Sequence, residues 1–410
     1  MSARLSLAVV IERFGDGITG GGEYHARRVA QHLADPTSRA HDVTILTSTS
    51  RDARRWDSPF TPGEDRVAGL RVLRFPVESS VDRDLERARQ AALGLVGRSP
   101  VGVREAATTW ANPYVPQLHA HLAATRYDAV FFFRYFYYPS IGGAHRTDSY
   151  RVGVPLLHDE PSARRPSVRR YLRALDAIVV NTDEERELVY EVGGDLRAPV
   201  IVAGCGVDPP SAAIGPRPFD AAYVAYFGRR KDGTELLPEM WRAFRERYGG
   251  ARFTDDRGRS VRGDALKLVT IGEPSFREIA GDGWHVEGHV DEATRWRFAA
   301  HAEAIVNPSL HESLSLVILE GWWVGRPVLV RAQCRVMARQ VQRAEAGAAF
   351  RDAISFADAL AAMLRGPDRR RVLGENGRAF ATSRYEWSTV MRRYDDALAR
   401  RFERVGERGQ

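Results

Sequence analysis

Asn307–Val330, NPSLHESLSLVILEGWWVGRPVLV, constrains this chain more than any other stretch. Ala304–Val306 is a short apolar run that Pro308 and Ser309 interrupt, as at the exit of a buried strand. Ser313 and Ser315 then offer N-cap oxygens ahead of Leu316, Val317 and Leu319, so a helix is expected to start near Ser313–Ser315. The free N–H groups and positive dipole end of such a helix face whatever the loop binds, most commonly a phosphate. Glu312 stands just before the helix and Glu320 lies inside it, roughly 7 Å along the axis at about 1.5 Å per residue. That is close to the span from a terminal phosphate to a ribose. An extended nucleotide can set its phosphates on the helix start and its ribose hydroxyls on Glu320, leaving Glu312 on the reacting side. The competing reading makes Glu312 a residue that favours the helix dipole and Glu320 a solvated acid. Against it, Glu320 sits between Leu319 and Trp322 in an otherwise apolar helix, where an acid is costly to bury without a partner.

Glu312 and Glu320 enclose seven residues, and HESLSLVILEGWWVGRPVLV resembles the glutamate-pair signature of family 4 retaining glycosyltransferases, including Gly325, Pro327 and Val328. The resemblance implies the α/β GT-B fold: two Rossmann-like domains facing across a cleft, with a C-terminal helix crossing back to the first. It also implies a nucleotide diphosphate sugar as co-substrate, with no metal and no cofactor.

The chain divides accordingly into residues 1–205, a proline-rich linker over 206–220, a donor domain over 221–385 and a returning helix over 386–410. Leu5–Ile11 is a continuous apolar run suited to a buried parallel strand; it feeds the glycine-rich Gly15–Gly22 and then a helix over Glu23–Leu33. Gly15, Gly17 and Gly20 satisfy G-x-G-x-x-G, so an NADP-dependent oxidoreductase is a second reading. The strand Val43–Leu46 leads to Thr47–Ser50 and Arg51 without an acid for a ribose, which leaves only the NADP form. In the glycosyltransferase reading Gly20, Gly21 and Gly22 let backbone approach the donor diphosphate or the acceptor.

Leu70–Phe75 reads as a strand and the arginine-rich 81–126 as mostly helical. Asp82-Arg83-Asp84 matches the D-x-D metal motif of the other large glycosyltransferase fold, yet it opens a polar helical stretch instead of ending a strand, and is read as coincidence. Asp128–Phe133 is a buried strand running into Arg134-Tyr135-Phe136-Tyr137-Tyr138. Strand C-termini face the ligand crevice of open α/β sheets, so Tyr135 and Tyr137 are acceptor candidates, with core packing as the alternative. Val154–Leu157 reads as a strand ending at His158-Asp159-Glu160-Pro161. The resemblance sets His158 against the donor sugar, with Asp159 beside it as a further acceptor candidate. Ala177–Val180, the helix Thr182–Val192 and Pro199–Val202 complete the first domain.

The second domain opens with the strand Ala221–Phe227, then Gly228-Arg229-Arg230-Lys231-Asp232-Gly233. Glycine lets the chain turn, and two cations neutralise charge developing on a departing diphosphate. Family members carry Gly-Arg and, a few residues on, Lys-Gly. Here the stretch is shorter and Asp232 stands where that glycine would be, so Arg230 is the alternative to Lys231. Lys231 is one of only two lysines, the other being Lys267, in a chain with 60 Lys and Arg residues. Leu266–Ile271 leads to Gly272-Glu273-Pro274. Val286–Val290 resembles the family's base-binding turn, with backbone near Val290 reading the nucleobase. Helices follow over 355–364, 370–383 and 387–404.

With 410 residues, 44% hydrophobic and 10% aromatic, the chain is long and apolar enough for two packed α/β domains. No apolar run approaches a membrane span, and Leu5–Ile11 meets Glu12 and Arg13 too soon for a signal peptide, so a cytoplasmic protein is expected. Cys205 and Cys334 form neither a disulfide framework nor a metal cluster. The net charge of +7 suits anionic partners in general, but the basic residues form no nucleic-acid module, which argues against nucleic acid as the partner.

The resemblance implies a retaining hexosyltransferase moving a sugar from a UDP- or GDP-sugar to a hydroxyl of a sugar, glycosylated metabolite or carrier-lipid-linked glycan. By the resemblance, Arg229 and Lys231 stabilise the leaving diphosphate, Glu312 orients the sugar, and Gly228, Glu273, Val290, Ser313, Leu314, Ser315 and Glu320 hold the donor. Peripheral membrane contact and a monomer or homodimer are the expected associations. A non-catalytic nucleotide-sugar-binding protein is the third reading.

Overall fold

A computed structural model describes residues 4–18, 20–53, 56–78, 113–231 and 233–408. Asp82-Arg83-Asp84 and the arginines between 83 and 104 therefore lie outside the described residues. Contacts divide the chain into two units, Met1–Gly204 with Met391–Gln410, and Cys205–Val390.

The first unit is built on an eight-stranded sheet of order β3-β4-β2-β1-β5-β6-β7-β8. Its strands are β1 Ser6–Val10, β2 Asp42–Ser48, β3 Gly63–Val67, β4 Leu70–Phe75, β5 Ala129–Phe133, β6 Tyr150–Val154, β7 Ala177–Val180 and β8 Val200–Val202. All pairings are parallel except the β3–β4 hairpin. The central strands are apolar runs buried on both faces, such as AVFFF in β5, as a helix-covered parallel sheet demands. Helices α1 Gly21–Ala34, α2 Pro116–Ala124, α3 Tyr138–Gly143, α4 Pro166–Ala174 and α5 Asp183–Gly193 make the crossovers. The edge strand β3 has the sequence GEDRV and is mostly exposed, so it lacked the apolar signal that revealed the others.

The strand expected over 154–157 ends at Val154 instead. Pro155 has no N–H to give a ladder and Leu156 takes a left-handed φ of 51°, which turns the chain off the sheet just before His158.

The second unit carries an all-parallel sheet of order β13-β12-β9-β14-β15-β16 and a small antiparallel hairpin, β10 Arg252–Thr254 with β11 Ser260–Arg262. The sheet strands are β9 Tyr223–Gly228, β12 Lys267–Gly272, β13 Trp284–Gly288, β14 Ile305–Asn307, β15 Val328–Arg331 and β16 Gly347–Phe350. Around it stand α6 Leu237–Tyr248, α7 Glu292–His301, α8 Leu316–Trp323, α9 Arg335–Ala344, α10 Ala353–Arg365 and α11 Pro367–Tyr385. The core packs Val224, Leu268, Val306 and Leu329 of the sheet against Phe244 of α6 and Phe356 and Leu360 of α10.

Helix α12, Trp387–Arg408, starts in the second unit and returns to the first at Met391. There the Tyr394 hydroxyl bonds His25 Nε2 at 2.9 Å, and Arg39 Nε donates to Asp395 Oδ1 at 2.7 Å. No helix among the described residues is long and apolar enough to cross a membrane.

Candidate active site

In the second unit, β9 ends at Gly228, whose φ of 139° only glycine adopts easily, and the chain turns through 229–233 into α6. Gly233, at φ 101°, lies so close to Pro308 that a Cβ would collide with the Pro308 carbonyl. The two loops therefore pack backbone against backbone, which carries Lys231 to Glu312 across 81 positions of sequence. Lys231 Nζ and Glu312 Oε1 form an ion pair. Thr234 pins the lysine's backbone, its Oγ1 accepting from Lys231 N at 2.9 Å and donating to Lys231 O at 2.7 Å. Asn307 Nδ2 stands 3.4 Å from the same Glu312 oxygen. The pair is partly open to solvent, with Lys231 33% and Glu312 14% exposed.

Two neighbours register the carboxylate. Burial, then Glu312, raises the Tyr226 phenol above its ordinary range, and the same two causes in that order push the Cys334 thiol up to about 12. That cysteine stays protonated and unreactive at neutral pH. The Tyr226 hydroxyl donates to the Arg229 carbonyl at 2.8 Å, which orders the turn below the exposed Arg229. Arg230 faces elsewhere and pairs with Glu278 at 2.9 Å on the surface. Of the two cations offered for the second position, Lys231 is the one that meets Glu312.

The loop after β14 enters α8 differently from expectation. The helix begins at Leu316, Ser315 sits at its N-cap with φ 70° and ψ 85°, and no side chain caps it. The Ser315 hydroxyl is used by Asn307 Nδ2, which donates to it at 2.9 Å. Serine before an apolar run marked the helix start to within a residue, but the capping oxygen expected of Ser315 is not used as a cap. The Leu314 carbonyl accepts from Gln340 Nε2 at 2.8 Å.

Glu320 has the partner that its apolar surroundings required: Arg295 of α7 forms an ion pair with it. Glu273 N donates to Gly228 O at 3.2 Å, holding the ends of β9 and β12 together, and Gly272 at φ 123° has no room for a side chain beside that carbonyl. Val290, half-buried, follows β13 just before Asp291, which caps α7 by accepting from Thr294 N at 2.7 Å.

The first unit places its candidates at the C-terminal ends of β1, β5 and β6. Gly20 and Gly22 are spaces filled by side chains: a Cβ on Gly20 would meet the Glu23 carboxylate, and one on Gly22 the Arg134 guanidinium. Gly21 is the first residue of α1. Arg134 pairs with both Glu12 and Glu23, and Arg13 pairs with Glu23. Burial pushes the Glu12 carboxyl up while Arg134 pulls it back. Sequence reasoning passed over this quartet; an acid and an arginine placed directly after the buried run of β1 were its available signal.

Of the two readings offered for Tyr135, acceptor ring or core, the structure gives it the core position. Tyr135 is fully buried, and its hydroxyl donates to Glu160 and lies 2.9 Å from Ser162 Oγ. Tyr137 is also buried, edge-on to Trp56. The exposed ring of the run is Phe136. His158 is half-buried, edge-on to Tyr135, and Asp159 is exposed in an ion pair with Arg164 at 2.8 Å. Glu185 of α5 accepts from Leu157 N at 2.6 Å and Asn181 N at 2.7 Å, so a buried carboxyl fixes the backbone next to His158. Among the described residues no three histidine, cysteine or carboxylate side chains converge as a metal-ligand set.

Two parallel α/β sheets and a returning C-terminal helix make the GT-B fold of glycosyltransferases, as comparison with known proteins shows. Residues 222–366 match the family described as Glycosyl transferases group 1. The chain is 24% identical over 390 residues to a glycogen synthase of Mycobacterium tuberculosis, covering 91% of this chain and 89% of that protein. The sucrose-phosphate synthase of Thermosynechococcus elongatus shares the fold with a TM-score of 0.67 at 17% identity, over 98% of this chain and 100% of that one. HepE of Anabaena in complex with UDP does so with a TM-score of 0.63 at 12% identity, over 96% and 99%.

Proposed function

We propose that this glycosyltransferase is a retaining, metal-independent hexosyltransferase that takes a UDP- or GDP-sugar as donor and a hydroxyl of a polar, sugar-like molecule as acceptor. The observation that carries the reading is the Lys231–Glu312 pair, held where the β9 turn packs on the loop leading into α8. A diphosphate laid along that loop meets the N-terminus of α8 and the cations Arg229 and Lys231, which offset the charge that develops as it leaves. The reading assigns Glu312 to the sugar and Glu320 to the ribose. Accepting a ribose there makes Arg295 the group that holds the Glu320 carboxylate in place. The UDP bound to HepE, which shares the fold, supports a nucleotide donor.

In the reaction the bond between the sugar's anomeric carbon and the leaving phosphate oxygen breaks while the acceptor oxygen bonds the same face. The acceptor proton passes to a leaving-phosphate oxygen, giving a glycoside and a nucleoside diphosphate. The protein's part is charge stabilisation and placement. In the first unit the reading keeps His158 and Asp159 as sugar-binding candidates, with Phe136 the ring exposed beside them.

The test is a screen of UDP- and GDP-sugars against soluble sugars, sugar phosphates and lipid-linked sugars, with products identified by mass and anomeric configuration by NMR. Transfer with retained configuration that survives a chelator is expected. Turnover abolished by chelator and restored by Mn²⁺, or an inverted product, overturns the assignment.

A further inference from the structure

Helix α9 buries Val336, Met337, Val341 and Ala344, and among them a polar residue, Gln340, which is fully buried. A buried amide left unpaired is costly, whereas methionine or leucine would fill the same space at no polar cost. Gln340 is paired on both sides. Its Nε2 donates to the Leu314 carbonyl at 2.8 Å, and its Oε1 accepts from the Tyr385 hydroxyl at 3.3 Å. Tyr385 is itself placed by its backbone, whose carbonyl accepts from Val207 N at 3.0 Å.

The consequence lies one atom further on. The described chain contains no cis peptide, and in a planar trans peptide the C=O and the following N–H point in opposite directions. A Leu314 carbonyl turned in toward Gln340 therefore turns the Ser315 N–H out, and no described group accepts from it. Ser315 meanwhile holds a left-handed φ of 70°, which a residue with a Cβ keeps only when its surroundings over-determine it. Gln340 restrains one side of that residue, and Asn307, through the Ser315 hydroxyl, restrains the other.

We propose that Gln340 is a positioning residue: it fixes the Leu314–Ser315 peptide so that the Ser315 N–H is preset for an oxygen of the donor's diphosphate, with Tyr385 holding Gln340 in register. What the N–H binds rests on the proposed donor site; the restraint of the peptide by Gln340 does not.

The experiment uses the full chain carrying Gln340→Met, which fills the volume and removes both bonds, and separately Tyr385→Phe. Amide exchange read by mass spectrometry is expected to quicken at least about tenfold over residues 312–318 in Gln340→Met, with β14 and β15 protected as in wild type. The donor KM rises roughly tenfold while the acceptor KM stays put, and Tyr385→Phe shows the same pattern with smaller amplitude. Unchanged exchange over 312–318, or acceleration spread evenly through 205–390, overturns the proposal, since a residue that merely packs would loosen the unit as a whole. If neither UDP nor GDP binds the wild-type protein, the donor-site reading fails and the exchange comparison alone decides the role of Gln340. Should Gln340→Met not fold, the localised exchange and KM pattern of Tyr385→Phe decides it.

Discussion

The two sheets end their strands in charged loops but use those charges in opposite ways. In the first unit Glu12, Glu23, Arg13 and Arg134 are nearly out of water and satisfy one another. In the second, Lys231 and Glu312 form a single pair with Lys231 a third exposed, beside an exposed Arg229. Charges already neutralised in a low-dielectric setting hold a scaffold and have little left to give a ligand. A half-solvated pair exchanges partners cheaply, because water compensates each charge as the other moves away. The glycine-rich loop of the first unit, which read as a phosphate cradle, thus supports a buried ionic clamp; the chemistry is expected at the sparser cluster.

The contrast predicts which substitutions harm folding and which harm turnover. Arg134→Met strands the buried Glu12 carboxylate, leaves Glu23 with Arg13 alone, and is expected to destabilise the protein by about 3–5 kcal/mol in urea unfolding. A loss below about 1 kcal/mol would mean that the clamp is solvated and functional. Lys231→Ala and Arg229→Ala should each lower kcat by about 10²-fold with unfolding midpoints near wild type, while Arg230→Ala, tied to Glu278, leaves kcat within about twofold. Loss of turnover in Arg230→Ala with a normal Lys231→Ala would move the second cation by one position. Glu320→Gln is expected to weaken nucleotide binding by roughly tenfold in calorimetry, with kcat little changed.

A last prediction concerns pH. Burial raises the Glu185 carboxyl from 4.5 to about 8, against its two backbone N–H partners. A folded value above the unfolded one gives stability that is present at pH below 4.5 and is lost as pH rises through about 8. Glu185→Gln should flatten the dependence of the thermal midpoint on pH across that window. A slope identical to wild type would show that the carboxyl is ionised in the fold.

Much of this was legible in the residues because periodic burial and turn chemistry are local. Strand β4 and the start of α12 fell where the patterns put them, and Glu320, an acid inside an apolar helix, announced a partner. The partner's identity, Arg295, was not legible, because it lies on another helix and nothing near Glu320 encodes it. The pairing of Lys231 with Glu312 depended likewise on Gly233 meeting Pro308, a tertiary contact between distant loops. Tyr135 stayed open between acceptor and core because an aromatic at a strand's end looks the same in sequence whether its ring faces solvent or, as here, the core. Ser315 misled for a related reason: its hydroxyl had a non-local competitor, Asn307, and local capping rules see only neighbours.

The account stands or falls on whether the Lys231–Glu312 site takes a nucleoside diphosphate. Calorimetric titration of UDP, GDP and NADPH into the wild-type protein and into Lys231→Ala tests this most directly. One of the two diphosphates should bind the wild type and bind Lys231→Ala at least about tenfold more weakly, with no heat from NADPH. Binding of NADPH with neither diphosphate, or diphosphate binding indifferent to Lys231, would contradict it.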